Sequence, residues 1–149
     1  MKLRVYLDTS VFSALEDLRA PDRKAPTRAF WDRMSEFVPG ASLLTRRELE
    51  QTPDENHRRT LVDLLGSVRE FPITDEMTNV AQQYVRCAVF SGAMFNDALH
   101  VAASVVERYD LLVSWNFKHL VNRRRRAEVN RVNLDLGLPR IEIVAPPEV

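Results

Sequence analysis

The chain lacks several features that mark specialised classes of protein. Cys87 is the only cysteine among 149 residues, which excludes an internal disulfide and a zinc site built from several thiolates. No apolar run reaches about 18 residues, the length that a membrane-spanning helix requires. The 21 basic and 21 acidic residues cancel, so any surface that attracts nucleic acid must be a local one.

We expect neither a signal peptide nor a second domain. The N-terminus leads directly into a predicted strand that ends at Asp8, which together with the single cysteine predicts a cytoplasmic protein. The 45% hydrophobic content is enough for one core, and no linker, internal repeat or low-complexity segment divides the chain. Residues 1–149 are therefore predicted to form a single domain, with Cys87 as a small residue of its core.

Hydrophobic patterns predict strands that alternate with helices along the chain. Because proline cannot donate a hydrogen bond within a sheet, Pro72 limits residues 71–73 to a short edge strand. This alternation is typical of an α/β/α sandwich with a mostly parallel, doubly wound sheet of about four to five strands. Strands are expected at residues 3–7, 41–45, 111–115 and 141–144, helices at about 10–20, 30–38, 52–66, 74–90, 95–108 and up to 136, and a polar loop at 24–26.

Three carboxylates stand where the predicted elements end or begin. Asp8 follows the first strand, and Glu48 comes shortly after the second. Asp97 opens the predicted helix at 95–108, which is strongly apolar. The carboxyl ends of parallel strands meet at one edge of a sheet, where α/β proteins gather their ligands. Carboxylate oxygens are the donors that Mg²⁺ and Mn²⁺ prefer, so Asp8, Glu48 and Asp97 are the candidate metal ligands.

Each acid also has a structural explanation when it is considered alone. Asp8 could cap the first helix, and Glu48 could be an exposed surface residue. The dipole of its helix favours the charge of Asp97 by about 0.3–1 kcal/mol. As a set, however, acids near the core boundary would raise one another's pKa, a conflict that a divalent cation removes.

Four short segments follow one another in a recognisable order. They are Leu7–Val11, Thr45–Leu49, Asn96–Ala102 and Val113–Phe117. Together they resemble the signature blocks of PIN-domain proteins, and in particular the VapC-like toxins of type II toxin–antitoxin pairs. The resemblance spans essentially the whole chain and implies a PIN-like fold. It also implies an endoribonuclease that uses Mg²⁺ or Mn²⁺ to activate water and leaves a 5′-phosphate.

The resemblance also assigns roles to individual residues. Asp8, Glu48 and Asp97 match the first three acids of the family's metal site, and Asn116 stands where the fourth acid is expected. We therefore take these four as the candidate catalytic residues. Because asparagine brings no negative charge, the alternative is a non-catalytic or weakly active protein that binds RNA or a partner.

Several neighbours of the acids could support them. Thr9 and Ser10 could orient a carboxylate or a metal-bound water, or serve only as caps, and Asn96 could hydrogen-bond within the cluster. His100 lies three residues after Asp97, on the same face of the predicted helix. His100 could be a core or hydrogen-bonded residue, or it could belong to the site.

Residues 117–131 form a basic segment that begins beside the predicted site. Six lysines or arginines accompany one acid, Glu128, which predicts a track for an RNA backbone. A solvated helix face is the alternative, and consecutive arginines on a helix cannot all contact one strand. The candidate RNA-binding residues are Lys118, His119, Arg123, Arg124 and Arg126.

The resemblance also predicts protein partners for the chain. The toxin resemblance implies a small antitoxin and a homodimer. The apolar helical stripes at 30–37 and 61–65 would form either the surface that binds such a partner or part of the core.

Haloacid-dehalogenase-type phosphatases are a rival enzyme class, because they also place an aspartate after their first strand. Those enzymes have a second aspartate two residues later and a lysine block further along the chain. This sequence has Ser10 at the first position and no such lysine block, which argues against that class.

Overall fold

A computed structural model describes all residues, 1–149. Its five strands pair in parallel throughout, in the order β3-β2-β1-β4-β5. This confirms the predicted α/β/α architecture with a parallel sheet. The strands are β1 (Arg4–Leu7), β2 (Val38–Ser42), β3 (Arg69–Phe71), β4 (Leu111–Val113) and β5 (Glu142–Val144).

Seven α-helices connect and cover the strands, and none is long and apolar enough to cross a membrane. They are α1 (Thr9–Ser13), α2 (Pro21–Asp32), α3 (Leu43–Leu49), α4 (Glu55–Leu64), α5 (Asp75–Arg86), α6 (Phe95–Val106) and α7 (Arg123–Asp135).

The sheet separates two apolar cores. Successive residues of a strand point to opposite faces, so Tyr6 packs into the core beneath α5, α6 and α7, while Val5 and Leu7 pack beneath α1, α2, α3 and α4. Every residue of α6 from Ala98 to Val105 is buried. The helix that the sequence marks as strongly apolar is therefore enclosed by the core, which fixes the positions of the residues that α6 carries.

The second strand begins earlier than predicted. Pro39 and Gly40 lie within β2 rather than at the end of a helix, and Glu48 lies on α3 rather than just after a strand. Pro39 is accommodated because β2 pairs with β3 only from Gly40 onward. Gly40 is required because a Cβ there would collide with the ring and hydroxyl of Tyr109.

Other boundaries also differ from the prediction. The first helix ends at Ser13, and α2 already starts at Pro21, a residue suited to the first helical position, so residues 24–26 are helical. The α4 helix begins later than expected, because its N-cap is Asp54, which accepts a hydrogen bond from the backbone N–H of His57. The predicted start of α5 is confirmed by its Thr74 cap.

Cys87 was predicted to be a core residue, and this is wrong. The α5 helix ends at Arg86, so Cys87 caps the helix instead of continuing its buried stripe. Ala88 then adopts a positive φ of 61° and turns the chain away, which leaves the thiol exposed. By contrast, the stripes considered as partner surfaces lie mainly in the core, with Phe30, Phe37, Leu61 and Leu65 buried.

Candidate active site

The candidate site lies where the order of the sheet reverses. β1 pairs with both β2 and β4, and the connections from these strands run in opposite directions, which opens a crevice at their carboxyl ends. Leu7 pairs with Val113, so the next residues, Asp8 and Ser114, face one another. The hydroxyl of Ser114 donates to Asp8 Oδ2 at 2.6 Å.

Asp8 is nearly buried, and hydrogen-bond donors hold it on several sides. Ser10 Oγ donates to Oδ2 at 2.9 Å, and the backbone N–H of Thr9 donates to Oδ1 at 2.8 Å. The carboxylate is also the cap of α1. The two explanations that the sequence left open therefore coexist, because one side chain starts the helix and stands in the cluster of acids.

Glu48 reaches the same place from α3. Its Oε1 accepts a hydrogen bond from Thr9 Oγ1 at 2.7 Å and lies 2.5 Å from His100 Nε2. His100 Nε2 is in turn 3.5 Å from Asp8 Oδ1. Ligand atoms of Asp8, Glu48 and His100 all lie within 4.8 Å of one another, a separation compatible with one shared metal ion.

His100 is a buried histidine whose two ring nitrogens both have partners. Its Nδ1 lies 2.7 Å from the hydroxyl of Tyr6, which lies 2.8 Å from Ser42 Oγ. The expectation of a hydrogen-bonded histidine is confirmed. The sequence did not predict that Nε2 would contact Glu48, although the spacing from Asp97 placed His100 on the face of α6 that carries Asp97.

The contact between Glu48 and His100 shifts the pKa of both groups. Burial alone would raise the pKa of the Glu48 carboxyl, but the hydrogen bond and charge of His100, together with Thr9, lower it below its usual value. Burial would also lower the pKa of His100. Tyr6, Glu48 and Asp8 outweigh that effect and raise the pKa well above its usual value. The pair is thus held as carboxylate and imidazolium when no other cation lies between them.

Asp97 projects from the first turn of α6 next to this cluster and has its own histidine. His119 Nδ1 lies 2.9 Å from Asp97 Oδ2. Burial raises the pKa of the Asp97 carboxyl, and the negative charge of Asp8 adds to the rise, while the hydrogen bond to His119 opposes it. Asp97 is not one of the residues whose ligand atoms lie within 4.8 Å of one another, which are Asp8, Glu48 and His100.

Asn116 shapes the loop that brings His119 to Asp97. Its Oδ1 accepts a hydrogen bond from the backbone of His119 at 3.0 Å, and its own N–H donates to Ser114 Oγ at 3.0 Å. The structure therefore brings Asn116 beside the acids with one lone pair of its carbonyl oxygen already engaged. Asn96, by contrast, is exposed and forms no hydrogen bond with the cluster.

No lysine or arginine forms an ion pair with the acids. The side chains within 4.0 Å of Asp8, Glu48 and Asp97 in such pairs are the imidazoles of His100 and His119, and the charge of Arg125 reaches Asp97 from further away. Asp8 is buried and Glu48 and Asp97 are half-buried, and carboxylates withdrawn from water require compensating charge, which His100 supplies only in part. The donor set of carboxylate oxygens with an adjacent imidazole fits a divalent cation, which Asp8 and Glu48 would hold with Asp97 nearby.

The basic residues after Asn116 divide between two surfaces. Lys118 and Arg124 line a groove of about 530 Å³ together with Ser91 and Met94. Arg123 and Arg126 instead line a groove of about 1010 Å³ between α7 and β5. The expectation that consecutive arginines diverge is confirmed.

Some of these guanidinium groups already have partners within the protein. Arg124 pairs with Glu128 at 2.7 Å on the surface of α7, and Arg126 donates to the carbonyl of Ile143 on β5 at 3.2 Å. Arg125 packs over the ring of Phe90. Lys118 remains the exposed cation next to His119, and no ion pair involves it.

Three solved structures of VapC proteins have a similar fold. VapC20 of Mycobacterium tuberculosis, a sarcin–ricin-loop-cleaving toxin, has a TM-score of 0.58 at 16% identity over 77% of this chain and 92% of that chain. DNA-bound VapBC of Salmonella typhimurium gives 0.56 at 15% identity over 97% and 98%. VapBC2 of Rickettsia felis, bound to a promoter DNA fragment, gives 0.60 at 12% identity over 96% and 98%.

The comparisons by sequence add no relative. No protein-family model matches the chain, and no curated protein matches it. At the low identities of the structural neighbours, the likeness concerns the fold. The protein thus has the PIN-like α/β/α fold of VapC toxins, as its sequence motifs predicted.

Proposed function

We propose that this protein is an endoribonuclease of the VapC toxin type that uses Mg²⁺ or Mn²⁺ to hydrolyse RNA phosphodiester bonds. The observation that carries the proposal is the cluster of Asp8 and Glu48 at the crevice of the sheet, with Asp97 nearby and no lysine or arginine in an ion pair with any of the three. The PIN-like fold shared with a toxin that cleaves the sarcin–ricin loop supports the same activity.

The residues of the cluster have distinct tasks in this mechanism. Ser10 and Ser114 hold Asp8 in one orientation, and Thr9 does the same for Glu48. A bound divalent cation would lower the pKa of a water molecule and neutralise charge on the phosphate oxygens during in-line attack.

On the other side of the site, His119 fixes Asp97. Asn116 supports His119 through its backbone N–H, which gives this position a supporting task where the family places an acid.

The RNA would approach along the groove that Lys118 and Arg124 line. Lys118 is next to His119 in the chain, so a phosphate bound there would be close to Asp97. Arg123 and Arg126 lie on the other surface of α7 and would contact only RNA that extends around the helix. Phosphate contacts of this type make binding sensitive to salt.

A small antitoxin and a second copy of the chain are the proposed protein partners. Two of the similar structures are VapBC assemblies bound to DNA, which supports the antitoxin. The homodimer follows from the toxin resemblance alone.

An RNA cleavage assay tests the activity. Purified protein with Mn²⁺ or Mg²⁺ should cleave RNA, and Asp8→Asn or Asp97→Asn should lower the rate about 100-fold or more, because each removes a carboxylate at the reacting centre. Asp22→Asn, at an exposed position on α2, is the matched control and should retain full activity. Equal cleavage by all variants would indicate a contaminating nuclease and contradict the proposal.

The missing fourth acid supports one alternative function. Asn116 brings no charge to the site, and a protein with this residue could bind RNA or a partner without cutting it. Salt-sensitive RNA binding without cleavage, under conditions where Mn²⁺ binds, would favour that alternative. A phosphatase with an aspartyl nucleophile would instead form a phosphoryl group on Asp8 that hydroxylamine removes, and we expect none.

A further inference from the structure

The imidazole of His100 points its Nε2 into the cluster of acids. This nitrogen lies 2.5 Å from Glu48 Oε1 and 3.5 Å from Asp8 Oδ1, and the ring is buried. Two atoms bound to one cation at about 2.1 Å lie roughly 3.0–3.4 Å apart. The separation from Asp8 is close to this range, and the partly exposed Glu48 side chain can move to widen the shorter one.

The other side of the ring is arranged as it is in histidines that bind metals. Metal-binding histidines use one ring nitrogen for the metal and hydrogen-bond the other to a polar group that fixes the ring. Here Nδ1 contacts the hydroxyl of Tyr6, and Tyr6 contacts Ser42. A ring held in this way by the core presents Nε2 to the acids, and a cation bound there would displace the Nε2 proton to solvent as Glu48 moves aside.

Building on the metal-dependent activity proposed above, we propose that His100 Nε2 binds the same cation as Asp8 and Glu48, and that this nitrogen makes the centre select Mn²⁺ over Mg²⁺. Mg²⁺ favours oxygen ligands and keeps several of its waters, whereas imidazole is a good ligand for transition metals. A centre made only of carboxylates would not favour Mn²⁺ in this way.

His119 provides the internal comparison. It also lies beside an acid, but its Nδ1 contacts Asp97, outside the group of ligand atoms that Asp8, Glu48 and His100 form. The chain has three histidines, and the third, His57, lies near the start of α4. A metal-bound nitrogen can therefore be assigned with few variants.

The test is pulsed EPR of the full-length wild-type protein loaded with Mn²⁺, compared with a sample that carries ¹⁵N-histidine. We expect echo modulation from one directly bound ¹⁴N, and replacement by the ¹⁵N pattern in the labelled sample. This measurement needs neither RNA nor a variant, so it remains informative if substitution of the buried His100 prevents folding.

Variants then assign the nitrogen. His100→Asn keeps an amide near the position of Nδ1 and Tyr6 but removes Nε2, and should abolish the modulation and weaken Mn²⁺ binding about 10-fold or more. His100→Gln places an amide near the position of Nε2. It should also abolish the imidazole signal while the preference for Mn²⁺ over Mg²⁺, measured by calorimetric competition, falls about 10-fold. His119→Gln, the matched control, should keep the modulation.

The outcomes separate this proposal from the proposed function. Mn²⁺ that binds and supports RNA cleavage without any coupled histidine nitrogen would overturn the role of His100 and leave the activity standing. Loss of the modulation in His119→Gln but not in His100→Asn would likewise overturn it. No binding of Mn²⁺ or Mg²⁺ to the wild-type protein, together with no cleavage, would overturn both.

Discussion

At the scale of single residues, hydroxyl groups orient Asp8 and Glu48, and no lysine or arginine forms an ion pair with either. Asp8 has Ser10 and Ser114 as side-chain donors, and Glu48 has Thr9. Hydroxyl donors orient a carboxylate without neutralising it, so its charge remains available for a cation. This distinguishes Asp8 from the acid of a structural ion pair, in which lysine or arginine would occupy the positions of Ser10 and Ser114.

Removal of the Ser114 hydroxyl should destabilise the protein. Ser114→Ala leaves a buried lone pair of Asp8 Oδ2 and the backbone N–H of Asn116 without this partner, which we expect to cost about 1–3 kcal/mol. Urea unfolding of the metal-free protein measures the change. Ser35→Ala, at an exposed position, should stay within about 0.5 kcal/mol of the wild type. Equal stability of the two variants would show that Asp8 does not depend on Ser114.

Thr9 should affect activity through the orientation of Glu48. Thr9→Val removes the hydroxyl at nearly constant shape, so the rate of RNA cleavage should fall about 10- to 100-fold. Thr9→Ser retains a hydroxyl and should restore most of the rate. A Thr9→Val protein as active as the wild type would contradict this role.

At the scale of secondary-structure elements, the apolar pattern was sufficient to predict α6, and the spacing of Asp97 and His100 on it followed directly. The pattern failed where packing between elements decides the boundary. β2 extends through Pro39 and Gly40 because both residues pair with β1, and the absence of a Cβ at Gly40 leaves room for Tyr109. The contact between His100 and Glu48 was not predictable, since it depends on how α3 and α6 meet across β1.

The contact between α5 and α7 predicts a response to alkaline pH. Burial raises the pKa of Tyr84 well above its usual value of 10.0, despite its hydrogen bond to Asn133. A pKa that is higher in the folded than in the unfolded state gives stability that is present below pH 10.0 and is lost as the pH rises above it.

Tyr84→Phe removes this group from the titration. The free energy of unfolding should therefore fall less steeply between about pH 10 and 12, by up to about 1.4 kcal/mol per pH unit. The variant should be less stable at neutral pH because Asn133 loses its partner. Unfolding curves at several pH values measure both effects, and parallel pH profiles for the two proteins would contradict the account.

The two surfaces of α7 should contribute unequally to RNA binding. Replacing both Lys118 and Arg124 with alanine should weaken RNA binding. The slope of log K against log salt concentration should fall by the amount that corresponds to about one to two phosphate contacts. Arg123→Ala, on the other surface, is the matched control and should change both quantities less. Titrations at several salt concentrations with the cleavage-deficient Asp8→Asn background provide the comparison. A larger effect of Arg123→Ala would place the RNA on the β5 surface instead.

At the scale of the whole molecule, the order of the strands explains why distant segments of the sequence meet. β1 lies at the centre of the sheet, so Asp8 at its end is reached from α3 on one side and from the loop after β4 on the other. The sequence was sufficient to predict this convergence, because a parallel sheet collects its carboxyl ends at one edge. It could not predict which side chains fill the space between the acids, a property of the packed molecule.

The proposed activity requires that these acids bind a divalent cation. A crystal structure of the protein soaked with Mn²⁺, with anomalous scattering measured at the manganese edge, would locate the ion. We expect an anomalous peak within bonding distance of Asp8 and Glu48. A protein saturated with Mn²⁺ whose anomalous peaks all lie elsewhere would contradict this expectation.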